Sequence, residues 1–75
     1  MSFLTTAQRA EIQTMADRYD AAVEAGKAIN DQRVHAAYNA AKHLIACDDN
    51  GSTNTAFHDI PARRLVEMFA AQGAV

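Results

Sequence analysis

Apolar residues recur at three- and four-residue steps along three stretches of the chain, and a polar run separates the second stretch from the third. That spacing is the mark of helices with one buried stripe. The first stretch carries Ile12, Met15, Tyr19, Ala22/Val23, Gly26 and Ile29, stepping like the a and d positions of a coiled coil. Arg9, Glu11, Asp17, Arg18, Asp20 and Glu24 fall on the other faces, as a solvated side requires. Ahead of it, Thr5-Thr6-Ala7-Gln8 fits a capping box: a Thr oxygen accepts from first-turn amides and Gln8 reaches back. The pattern predicts a helix over about 6–29. Gly26 could stop it earlier as the residue after the cap. Ile29 keeps the register, however, and Asn30-Asp31 supplies the next helix's N-cap, so the break is placed there.

The second helix is read over about 31–46. Val34, Ala37/Tyr38, Ala41 and Leu44/Ile45 share one face, and neither Gly nor Pro interrupts it. Alanines at 36, 37, 40 and 41 favour the helix and leave room for another helix to approach. The short connection makes these two helices an antiparallel hairpin. Residues 47–58 hold Asp48, Asp49, Asn50 and Gly51 within a polar run, and are read as a loop. A shorter third helix follows over about 60–72, with Asp59 as its cap, Pro61 in its first turn and Gly73 ending it. Ile60, Leu65, Met68 and Phe69 form its apolar side, with Val66 at the edge. The fold class is therefore all-α: a helical hairpin, a polar loop and a third helix.

Length narrows this further. Seventy-five residues allow a single domain, 1–75, with a small core that would gain from a partner chain. Association of the narrow apolar stripes into a homodimer or higher oligomer is the expected remedy. Cys47 is the only cysteine, so no intramolecular disulfide can form, and a reducing, cytoplasmic setting is expected. Met1 to Thr6 lacks a basic leader, and no window approaches the roughly 18 apolar residues of a membrane span. The net charge of −2, with nine acids against seven bases, is not the basic footprint of a nucleic-acid binder.

Motifs for chemistry are scarce. Asp48-Asp49-Asn50-Gly51 suggests a calcium loop, but counting from Asp48 puts Thr53 at position 6 and Asp59 at position 12, where Gly and Glu belong. His43 and Cys47 share a helical face, and His58 and Asp59 are zinc-ligand types, yet the paired short spacings of a structural zinc site are missing. No metal or cofactor is expected. The chain has no nucleophile elbow, phosphate loop or HExxH motif, and an enzyme is not expected.

What remains is binding. Arg33, His35, Tyr38 and Lys42 put cationic and aromatic groups on the second helix, suited to a phosphate or an acidic partner. Asp48 and Asp49 follow that helix's C-terminus, where the helix dipole disfavours negative charge by a few tenths to about 1 kcal/mol. The conflict points to a loop that meets a basic partner, and neutralising both acids should then stabilise the chain slightly. The candidate binding residues are Arg33, Tyr38, Lys42, Asp48 and Asp49. Arg63-Arg64 looks basic, but Asp59 and Glu67 each stand four residues from Arg63 and should pair with it.

Asp31-Gln32-Arg33, opening a second helix after a long first helix and a short turn, resembles in outline the small phage hairpin proteins that sequester cyclic-oligonucleotide immune signals. The resemblance covers about half the chain and rests on one tripeptide. It carries over no ligand-binding residue, and the polar loop and third helix have no counterpart in it. Three functions follow as expectations. The first is a small non-catalytic intracellular binding or inhibitor protein, of the kind phages encode, that occupies the surface of a partner protein. The alternative, which the resemblance implies, is an oligomeric sponge holding a phosphate-containing small ligand between protomers. The third is a small DNA-binding regulator reading with its last helix, which would need Arg63 and Arg64 free of carboxylates.

Overall fold

A computed structural model describes residues 4–27, 29–51 and 57–72. Its elements are α1 (Thr6–Glu24), α2 (Gln32–Asp49) and α3 (Ala62–Ala71), in an all-α arrangement in which each helix packs on the other two. The boundaries follow from local chemistry. Thr5 caps α1: its hydroxyl accepts from Gln8 N at 3.1 Å, and Gln8 Oε1 accepts from Thr5 N at 2.9 Å. This is the reciprocal capping box read from the sequence.

α1 ends at Glu24, five residues before the expected boundary at 29. Gly26 takes φ +76°, Gly26 N donates to Val23 O and Lys27 N donates to Ala22 O. That is a Schellman stop, which satisfies the last carbonyls through a left-handed glycine and ends the helix before Ile29 can continue the register. Asp31 caps α2 by accepting from Arg33 N at 2.8 Å, as expected.

α2 runs three residues past the expected boundary at 46, through Asp49, so the stretch read as a loop from 47 begins as helix. Gly51, φ +77°, closes this helix too, with Gly51 N on Asp48 O. α3 starts at Ala62 behind Pro61 and has no side-chain cap, so Asp59 does not serve as one. Residues 52–56 of the polar loop and the expected stop at Gly73 lie outside the described residues.

The core comprises Leu4, Ile12, Ala16, Ala40, Ala41, Leu44, Ala62, Leu65 and Val66. Val66, which the periodicity placed at the edge of the apolar side of α3, is buried beside Leu65, because α3 packs on both α1 and α2. One polar residue holds α3 there. Gln8 Nε2 donates to the carbonyls of Phe57, His58 and Ile60, at 2.8, 3.1 and 2.6 Å. Two N–H groups serve three acceptors, so one bond is shared.

With ten residues α3 is about half as long as α1 or α2, and it covers only part of the hairpin. Val23 and Val34, near the turn, are left exposed at 50% and 39%. Of the stripe predicted along α1 only Ile12 is fully buried: the buried line runs through Gln8, Ile12 and Ala16, while Met15 and Tyr19 are half-buried and Val23 is exposed.

Candidate functional site

The uncovered part of the hairpin has a defined shape. Met15 and Tyr19 from α1, Val34, Ala37 and Tyr38 from α2, and Val66 from α3 enclose an apolar hollow of about 200 Å³. One wall is a ring stack: Tyr19 and Tyr38 lie 4.1 Å apart at 24°. His35 meets Tyr19 edge-on at 5.5 Å. Its Nε2 is 2.8 Å from Ile29 O, an acceptor only, so Nε2 carries the proton and donates. In the neutral ring Nδ1 then accepts from the Tyr19 hydroxyl at 2.7 Å. The interhelical turn is tied to both helices through this one imidazole.

Tyr38 is fixed from the other side. Its hydroxyl donates to Asp20 Oδ1 at 3.0 Å, and Lys42 Nζ lies 3.7 Å from Asp20 Oδ2 and 5.5 Å from the Tyr38 ring centroid. The hydrogen bond to Asp20 raises the Tyr38 pKa above its ordinary value, since ionisation would set a phenolate beside a carboxylate. Removal from water adds to that rise, and Lys42 opposes it.

A second hollow, of about 400 Å³, adjoins the first across Ala37. Arg33, Ala36 and Ala37 of α2 and Glu67, Ala70 and Ala71 of α3 line it. Its floor is small and apolar, and its two charges are of opposite sign.

The five candidate residues read from the sequence separate into three places. Tyr38 and Lys42 are together, with Asp20 between them. Arg33 stands nine residues from Lys42, half a turn out of phase on the helix, and lines the second hollow. Asp48 and Asp49 sit on the last turn of α2, where both pair with Arg9: Asp49 Oδ1 at 2.6 Å from Nη2, and Asp48 through Nη1. Asp48 is buried and also accepts from Leu4 N at 2.9 Å. The charge conflict at the end of α2 therefore has an internal answer: the basic group that meets these acids is the chain's own.

Other expectations also shift. Glu67 pairs with Arg64 at 4.0 Å and not with Arg63, which has no ion pair among the described residues. Cys47 Sγ lies 3.7 Å from His43 Nε2, and among the described residues no three metal-ligating side chains gather. His58 Nε2 is buried and has no hydrogen-bond partner among the described residues. Sequence reasoning placed Tyr19 on the stripe and missed its stack with Tyr38. The available signal was a large, half-polar ring on each helix close to the turn of an antiparallel hairpin. No helix among the described residues is long and apolar enough to cross a membrane. Comparisons with protein-family models, curated proteins and solved structures give no match.

Proposed function

We propose that the protein is a non-catalytic binding domain of inhibitor type, which acts by placing the hollow beside Tyr19 and Tyr38 against the surface of a partner protein. The observation that carries this reading is the open apolar hollow, walled by a stacked tyrosine pair whose hydroxyls are already fixed by His35 and Asp20. Tyrosines held in this way offer large contact area at low entropic cost, which is why they anchor interfaces. Exposed Val34 at the lip extends the apolar area. The volume of about 200 Å³ suits one or two inserted side chains. Cys47, unpaired, fits a reducing cytoplasmic setting.

The cationic groups support a protein partner over a phosphate ligand within one protomer. Lys42 is engaged by Asp20, and Arg33 does not converge with it. The test is purification of the tagged protein from its native cells, with mass spectrometry of bound proteins and bound small molecules. The reading expects a protein that Val34→Asp loses and Glu24→Ala retains, with helical content equal in both variants. A bound phosphate compound in place of a protein would overturn it in favour of a sponge.

A further inference from the structure

We infer that the hollow between α2 and α3 is the contact face of a symmetric dimer of this chain, in which Arg33 of each protomer pairs with Glu67 of the partner subunit. This face adjoins the tyrosine-walled hollow at Ala37 and is centred on other residues, and its test, the association state of the purified chain, reads independently of the partner proposed there.

The charges give the first argument. Arg33 and Glu67 line the same hollow from opposite helices without pairing with each other, and Arg33 has no ion pair among the described residues. Glu67 reaches Arg64 only at 4.0 Å, and both of those side chains are well exposed, so that contact holds Glu67 weakly. A two-fold axis lying in the interface between the two side chains carries each onto the position facing the other. Each charge then meets one opposite charge and the contact occurs twice, which is the self-complementarity an isologous interface requires. A partner of uniform charge would satisfy one of the two and repel the other.

The shape gives the second argument. Between the charges the floor is Ala36, Ala37, Ala70 and Ala71, so a second pair of helices can approach closely. The core gives the third. Of the nine buried apolar residues among those described four are alanines, so this core holds few large side chains. A second copy laid over the alanine floor would remove more apolar surface from water and join α2 and α3 of both chains into a four-helix layer.

The experiment is sedimentation equilibrium of the full chain across the micromolar range, for the wild type, Arg33→Glu, Glu67→Arg and an equimolar mixture of the two variants. The wild type should sediment at twice the 8.1 kDa chain mass. Each single variant sets like charges against each other at both contacts, and its dissociation constant should rise on the order of tenfold or more. In the mixture both contacts become opposite in sign again, so dimer should return to near the wild-type level. Circular dichroism confirms that the variants keep their helices, which is expected because both positions are exposed. A monomeric wild type overturns the inference. So do single variants that dimerise as the wild type does, and a mixture that fails to regain the dimer.

Discussion

Arg9, near the start of α1, holds Asp48 and Asp49 at the end of α2, and so joins the two ends of the hairpin that lie farthest from its turn. Asp48 also accepts the backbone N–H of Leu4, a fully buried residue just ahead of the α1 cap. Two acids at a helix C-terminus face the negative end of the dipole. One guanidinium offsets both, and hydrogen bonds to the two carboxylates raise its own pKa above the ordinary arginine value.

This relationship reverses the sign of one expectation from the sequence. Neutralising Asp48 and Asp49 should destabilise the protein, not stabilise it. Asp48→Ala removes the acceptor for Leu4 N and should cost roughly 1–3 kcal/mol in urea unfolding. Arg9→Met should lower the melting temperature as well, since it leaves Asp48 buried without its cation. Unchanged midpoints in both variants would mean that the clamp does not hold the hairpin ends.

Gln8 separates local rules from tertiary ones. A capping box accepts Glu as readily as Gln, and the dipole favours an acid in the first turn. In the fold Gln8 Nε2 faces three carbonyl oxygens. Gln8→Glu should therefore destabilise by more than about 1 kcal/mol, because a carboxylate there has no donor for those acceptors. A stabilised Gln8→Glu protein, measured by the same unfolding, would show that α3 is held by other contacts.

Much of the fold was legible because periodicity and caps act locally. Thr5, Gln8 and Asp31 are where the sequence put them. The misplaced ends have particular causes. Gly26 and Gly51 decide where α1 and α2 stop, and their left-handed turns outweigh the apolar register at Ile29 and the polarity of Cys47 to Asp49. The site was only half legible. Tyr38 and Lys42 could be named from one helix. Their partners Tyr19 and Asp20 come from the other helix, and the pairing of Asp48 with Arg9 spans 39 residues, beyond any local pattern.

Ala41 is fully buried within the core that the three helices share. Ala41→Leu should overfill that contact and cost roughly 1–3 kcal/mol. Glu24→Ala, on the exposed last turn of α1, should change stability by less than about 0.5 kcal/mol. Equal melting temperatures for the two variants would contradict this register of α2 against its neighbours.

The chain has two tyrosines; the Tyr38 hydroxyl donates to the Asp20 carboxylate and the Tyr19 hydroxyl meets His35. In a spectrophotometric titration Tyr38 should ionise above the ordinary tyrosine range, and Asp20→Asn should return it toward that range. The sign for stability follows. A phenol whose pKa is raised in the fold favours folding fully below the unfolded-state pKa of about 10, and this contribution is lost as pH rises through the folded-state value. Tyr38 ionising within the ordinary tyrosine range, unchanged by Asp20→Asn, would mean that the Asp20 bond does not hold its proton.

The central claim is that the protein meets its partner at the hollow walled by Tyr19 and Tyr38. The most direct measurement is photo-crosslinking in the native cells, with a photoreactive phenylalanine analogue at Val34 and, as a control, at Thr14 on the exposed back of α1. The Val34 probe should join the chain to a distinct partner protein that the Thr14 probe does not capture. Identical adducts from the two positions, or no adduct to another protein from Val34, would contradict the claim.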